Sequence, residues 1–172
     1  VKPAEVNFAD VAADAYYANA VKWAVEKGIT TGTSATTFSP SETCTRAQIL
    51  TFLWRAQGSP KSEDGNPFTD VSADDYYCEA AAWANDYDMI DDFLFNADTP
   101  CTRESTVTYI WKSMGMPSAT TESTFTDVAE DAEYAEAVAW AVENGVTSGT
   151  SATTFSPNDI CDRGQIVTFL NR

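Results

Sequence analysis

The sequence predicts an all-α fold of three tandem helix–loop–helix units, each of about sixty residues. Three observations carry that expectation. An F-x-D-V motif starts at Phe8, Phe68 and Phe125, and a tryptophan follows each phenylalanine fifteen residues later, at Trp23, Trp83 and Trp140. An arginine then follows the same phenylalanines at 38, 35 and 38 residues, as Arg46, Arg103 and Arg163. A period of this size marks a repeat array rather than one irregular domain. The boundaries fall in "QGSPKSEDGNP" (57–67) and "MGMPSATTEST" (114–124), which have linker composition. They divide the chain into 1–57, 58–114 and 115–172.

Within each unit the first segment reads as a helix. Asp14, Asp74 and Asp131 are expected as N-caps or first-turn acids. Tyr17, Ala20, Val21 and Ala24 fall at i, i+3, i+4 and i+7, with Tyr16, Trp23 and Val25 widening the apolar face. So broad a face predicts burial on several sides, against the counterpart helices of the other copies. Gly28 and Gly145 supply the left-handed residue that ends a helix, and Asp88 stands there in the middle copy. A long loop, residues 28–44 in the first copy, leads to the second helix. Irregular loops of that length inside compact domains tend to carry function.

The second helix opens in "TFSPSETCTRAQILTFL" (37–53), which matches "TFSPNDICDRGQIVTFL" (154–170) at eleven of seventeen positions. Thr45 with Gln48, and Asp162 with Gln165, have the spacing of a capping box; Thr102 with Ser105 is a weaker version. Ile49, Leu50 and Leu53, and likewise Val107, Ile110 and Met114, supply the packing stripe. Cys44, Cys101 and Cys161 each precede the arginine by two residues. Their spacing fits no zinc motif, the chain has no histidine, and equivalent positions in separate repeats are expected to lie far apart. With Cys78 they read as small buried hydrophobes, not as metal ligands or disulfides.

The arginines are the chemical question. A net charge of −16 with ten Lys and Arg excludes a nucleic-acid binder, because phosphate neutralisation needs clustered cations. Yet six of the ten lie on the second helices: Arg46, Arg103 and Arg163 at the start, and Arg55, Lys112 and Arg172 nine residues later. The later set suits the helix C-terminus and needs only a structural explanation. The earlier set faces the positive end of the helix dipole, which costs about 0.3–1 kcal/mol each. A compensating anion is therefore expected, held by free helix N–H groups and a bidentate guanidinium. Internal salt bridges to aspartates, or arginines that simply hold one copy to the next, are the structural alternatives.

F-x-D-V, a helix ending in Gly, a second Gly four residues on, F-x-P, and a T-R-A-E-like helix start together resemble the S-layer homology module. The first copy carries Phe8, Asp10, Gly28, Gly32, Phe38, Pro40 and "TRAQ" (45–48); the third carries Phe125, Asp127, Gly145, Gly149, Phe155, Pro157 and "DRGQ" (162–165). The resemblance spans nearly the whole chain, in the family's usual number of three. It implies a pseudo-threefold arrangement around a central three-helix bundle. It also implies non-covalent anchoring of secreted proteins to Gram-positive cell walls, through a secondary cell-wall polysaccharide that commonly bears pyruvate ketals. In some diderm relatives the ligand is modified peptidoglycan. The motif arginine maps onto Arg46, Arg103 and Arg163, with Gly32 and Gly149 beside them in grooves between modules. Thr45, Gln48, Thr102, Asp162 and Gln165 are the supporting caps.

The middle copy departs from the pattern. It has Asp88 and Asp92 where the others have glycines, Ala97 in place of Pro40, and a loop three residues shorter. Its "DYDMIDD" segment (86–92) is expected to repel an anion, so that at most two grooves work well. The family's aromatic at the first helix start appears as Tyr16 and Tyr76 but as Glu133 in the third copy. The three tryptophans, deeper in the helix, read as core.

Other functions fit less well. A calcium site is not supported by "DYDMIDD", which lacks the required glycine and spacing. No nucleophile motif or histidine supports an enzyme, and no cofactor is implied. No apolar run approaches a membrane span, and residue 1 begins no signal peptide, so the chain reads as part of a larger extracellular surface protein. The remaining alternative is a divergent trio that binds another protein or a host factor.

Overall fold

The computed structural model describes residues 8–90 and 92–172, so Asp91 of the acidic middle segment lies outside the described residues. Among the described residues there are six α-helices and no β-sheet: α1 Ala18–Glu26, α2 Arg46–Ala56, α3 Cys78–Asp86, α4 Arg103–Ser113, α5 Ala135–Glu143 and α6 Arg163–Asn171. The expected all-α class and two helices per repeat are both present. At nine to eleven residues these helices are too short to persist alone, so packing must hold them.

The packing crosses the repeats. The helix α1 lies on α6, α3 on α2, and α5 on α4, while α2 also touches both α4 and α6. The first helices are indeed buried on several sides: Ala80 to Ala84 are all buried in α3, and Ala137 to Ala141 in α5. Their main partners are second helices, however, and not one another as the apolar face suggested. The first helices bury small alanine side chains and the second helices supply the bulk: Ile49, Leu50, Val107, Ile166 and Val167 are fully buried. Each such aliphatic side chain contributes about 1.5–3 kcal/mol by leaving water. Trp83 and Trp140 are buried and Trp23 packs against the core, as expected. Tyr16 and Met114 are exceptions: both are exposed, Tyr16 before α1 and Met114 at the end of α4.

The entry to the first helices also differs from expectation. Asp14, Asp74 and Asp131 do not cap them; the caps are Tyr17, Tyr77 and Tyr134, which make no side-chain capping bond. Successive turns replace the missing helical turn, with Ala15 N–H donating to Ala12 and Ala18 N–H to Ala15, and the same pattern before α3 and α5. At the other end the left-handed residue appears where expected, at Gly28 (φ 71°), Asp88 (φ 53°) and Gly145 (φ 71°). The later basic residues then close each repeat on itself. Arg55 donates to Ile29 O, Lys112 to Asp88 O and Arg172 to Val146 O.

The three cysteines, expected to be far apart, instead meet. Cys44 N–H donates to Cys161 O (3.0 Å), Cys101 N–H to Cys44 O (2.9 Å) and Cys161 N–H to Cys101 O (2.8 Å). This closed ring of main-chain bonds brings the three helix entrances together, which the sequence distance between them concealed. All three thiols are free and buried. Burial pushes Cys101 up to about 12 and Cys161 up to about 11, and moves Cys44 in the same direction. They are packing groups, as their composition suggested.

Candidate functional site

Each second helix starts against the loop of another repeat. The capping boxes at Thr45/Gln48 and Asp162/Gln165 are complete, and Thr102 accepts from Ser105 N–H without the reciprocal bond. The next two N–H groups are also occupied. Arg46 N–H donates to Thr99 O and Ala47 N–H to Ala97 O; Arg103 and Glu104 donate to Asp159 O and Pro157 O; Arg163 and Gly164 donate to Glu42 O and Pro40 O. The helix starts therefore offer no free N–H cradle, and the expectation that they favour an external anion is corrected. The neighbouring loop's carbonyls already fill that place.

The arginine side chains reach across the same seams. Arg163 Nε donates to Phe38 O (2.9 Å), Arg103 Nε to Phe155 O (2.8 Å) and Arg46 Nη1 to Phe95 O (2.7 Å). Each accepting phenylalanine is the one in the F-x-P loop, or its middle-copy equivalent, of another repeat. The same peptide is held from the other side. Asp10 accepts from Phe38 and Ser39 N–H, Asp70 from Phe95 and Asn96, and Asp127 from Phe155 and Ser156, all at 2.7–2.9 Å. The turn so gripped is left-handed at Ser39, Asn96 and Ser156 (φ 59°, 54° and 59°). Burial works to raise the pKa of all three aspartates. The two backbone donors outweigh it, so each carboxyl sits below the ordinary value. This role of the F-x-D aspartate was not read from the sequence, although its strict spacing was the signal.

The seats are not identical. Arg163 is buried, with its guanidinium carbon 4.8 Å from the Phe38 ring centroid and 5.2 Å from that of Phe52. Arg103 is likewise buried between Phe155 (5.0 Å) and Phe169 (5.3 Å), and its Nη2 meets Thr147 Oγ1 at 3.4 Å. Burial lowers the pKa of both guanidinium groups. Around Arg46 the residue equivalent to Phe52 and Phe169 is Tyr109, whose hydroxyl accepts from Nε (3.1 Å) and turns the guanidinium so that Nη1 takes the Phe95 carbonyl. Arg46 is only half-buried. It borders a cavity of about 360 Å³ lined also by Met89, Ile90, Asp92, Asn96 and Thr99. A second cavity of about 390 Å³ beside α5 is lined by Glu122, Glu130 and Glu136 and no basic residue.

Among the described residues no arginine lies within ion-pair distance of a carboxylate. Among the described residues one ion pair occurs, the exposed Lys22–Glu26 at 4.0 Å. After the contacts above, the Nη groups of Arg163, Nη1 of Arg103 and Nη2 of Arg46 have no protein acceptor among the described residues. Gly32 and Gly149 sit differently from the arginines. Their φ values are 89° and 88°, and an added Cβ at Gly32 would lie 2.5 Å from Phe8 Cε1 and from Thr37 O. At Gly149 the same atom would lie 2.6 Å from Phe125 Cε1 and Thr154 O. Tyr16 and Tyr76 are exposed, each edge-on to its neighbouring tyrosine at 5.0 Å.

The sequence is similar to parts of known proteins, among them by name a surface-layer protein and an endoglucanase. Over 83 residues, 48% of its length, the chain is 37% identical to the surface-layer 125 kDa protein of Lysinibacillus sphaericus, and covers 6% of that protein. Over 63 residues, 37% of its length, it is 41% identical to an endoglucanase of Bacillus sp. (strain KSM-635), and covers 7% of it. The chain thus spans a small fraction of either relative. No described helix is long and apolar enough to cross a membrane. The sequence profile of the S-layer homology domain, a non-catalytic structural module associated with the cell wall, matches residues 7–50 and 124–167, about half of the chain. With the landmarks Asp10, Arg46, Asp127 and Arg163 inside the matched spans, the chain belongs to the S-layer homology domain family.

Proposed function

We propose that the chain is a cell-wall anchor of three modules (1–57, 58–114 and 115–172), set pseudo-threefold around α2, α4 and α6. It binds a secondary cell-wall polysaccharide, anionic and pyruvylated, in grooves between adjacent modules. Arg46, Arg103 and Arg163 are the arginines that meet the glycan there, with the acidic middle loop leaving at most two grooves well suited to an anion, and Gly32 and Gly149 shape the loops beside them. The anchor forms part of a larger protein held outside the cell. The observation that carries this reading is the leftover guanidinium N–H groups: three arginines stand at inter-repeat seams, fixed by a carbonyl and left without a carboxylate among the described residues. Tyr16 and Tyr76 offer exposed rings on which a sugar can stack.

Sedimentation with isolated Gram-positive walls tests it. The chain should pellet with intact walls and stay in solution with walls stripped of their secondary polymers. Arg163→Lys, which keeps the charge and loses the fork, should weaken pelleting while circular dichroism stays unchanged. Equal pelleting with stripped walls would sink the polysaccharide reading. One feature favours a second reading, a protein-binding surface: Phe93 is 94% exposed, with Leu94 beside it, on the middle loop. On that reading Arg163→Lys leaves binding intact and Phe93→Ser abolishes it.

A further inference from the structure

The loop beside Arg46 carries one acid that its counterparts lack. Asp92 replaces the glycine found as Gly32 and Gly149, and lines the same cavity as Arg46. One Asp92 carboxylate oxygen accepts from Phe93 N–H (2.7 Å), and no cation lies within ion-pair distance of the group among the described residues. Arg46 and Asp92 therefore border one space without neutralising each other. Between them the lining is apolar at Met89 and Ile90, both buried, and polar at Asn96 and Thr99. At about 360 Å³ the space is at the small end of the range for ligand pockets, suited to a single sugar.

A ligand bearing only a carboxylate gains from Arg46 and is opposed by Asp92. One bearing only an ammonium has the reverse problem. A ligand carrying both satisfies the two walls together. We infer that the Arg46 groove takes a zwitterionic sugar, a hexosamine with a carboxylate and a free ammonium. This rests on the reading of the arginines as glycan ligands given above.

Two sugars that differ only in the ammonium separate the cases. Muramic acid has a lactyl carboxylate and a free amine; N-acetylmuramic acid has the same carboxylate and no cation. Amide NMR titration of the intact chain follows Asn96 and Thr99 for this groove. Muramic acid should move those amides with a Kd about tenfold below that of N-acetylmuramic acid. Asp92→Asn, an exposed change that leaves the fold alone, should remove or invert the preference, and Arg46→Gln should weaken both sugars here. Equal or tighter binding of N-acetylmuramic acid at Asn96 and Thr99, or a ratio unmoved by Asp92→Asn, overturns the inference. If neither sugar shifts these amides while the chain still pellets with intact walls, the zwitterion inference fails and the anchoring reading stands. If pelleting is lost as well, both fail.

Discussion

Arg163 and Arg46 occupy the same place at the start of a helix and rest on the same backbone frame, yet one is buried and the other borders a cavity. Around Arg163, Phe38 and Phe52 close over the guanidinium from two sides. Around Arg46, Tyr109 replaces the second ring and spends its hydroxyl on Nε, while Asp92 stands in place of a glycine. The main-chain frame survives both changes: guanidinium to carbonyl, two N–H groups to aspartate, two helix N–H groups to the loop. The frame is thus a structural device common to all three repeats. Whatever distinguishes one groove from another is carried by the side chains laid on it.

The sharpest way to break this comparison is to delete each arginine in turn. Arg163→Ala removes a charge-assisted bond to Phe38 O and contacts with two rings, and leaves a buried carbonyl unpaired. It should destabilise the fold by about 3 kcal/mol. Arg46→Ala, half-buried and unstacked, should cost about 1–2 kcal/mol. Urea denaturation followed by tryptophan fluorescence measures both. Equal losses would mean that the frame, and not its surroundings, sets the energetics.

The loops give the next contrast. Gly149→Ala places a methyl 2.6 Å from Phe125 Cε1 and Thr154 O in a left-handed backbone, so a loss of about 2–3 kcal/mol is expected. Asp92→Ala changes an exposed side chain and should stay within about 0.5 kcal/mol of wild type. A Gly149→Ala protein as stable as wild type would show that the third loop is as permissive as the middle one.

The three F-x-D aspartates should behave alike, because all three hold the same pair of backbone donors. Their folded pKa values lie below the unfolded one, about 3.9, so the unfolded chain binds protons more readily. The stabilisation is complete above that pH and disappears as pH falls through the folded values. Midpoint urea concentrations measured from pH 6 to pH 2 should drop for wild type below pH ~4. Asp127→Asn should be less stable at pH 6 and show a shallower drop. An unchanged acid profile in Asp127→Asn would remove this aspartate from the clamp.

The helical class, the second-helix caps, the left-handed stops and the structural character of Arg55, Lys112 and Arg172 were all legible, because each shows in residues close in sequence, although the carbonyls that receive those three cations were not read. The first-helix caps were misread at Asp14, Asp74 and Asp131, since a run of turns competes with helix there and only tertiary packing decides. What lay beyond reach was the particular partner of each contact across a seam. Sequence distance suggested that Cys44, Cys101 and Cys161 were remote, whereas the repeat geometry makes them neighbours. The same blindness left the helix N–H groups free on paper. The arginines themselves were identifiable from recurrence alone; that each holds one repeat to the next was one of several open alternatives, and the carbonyl that receives it was not read.

The smallest expected effect tests the least conspicuous difference between repeats. Gln48 and Gln165 each return a bond to the backbone N–H of the cap, completing their boxes, whereas Ser105 is too short and its hydroxyl instead meets that of Thr102 at 2.9 Å. Thr102 therefore lacks the reciprocal bond that its counterparts receive. Ser105→Gln should supply it and raise stability by about 0.5 kcal/mol, and Gln48→Ala should lower it by a similar amount. Both shifts are resolvable as opposite displacements of the urea midpoint at constant slope. If Ser105→Gln destabilises instead, the middle entrance has adapted to its serine, and the frame is less uniform across the three repeats than its backbone bonds indicate.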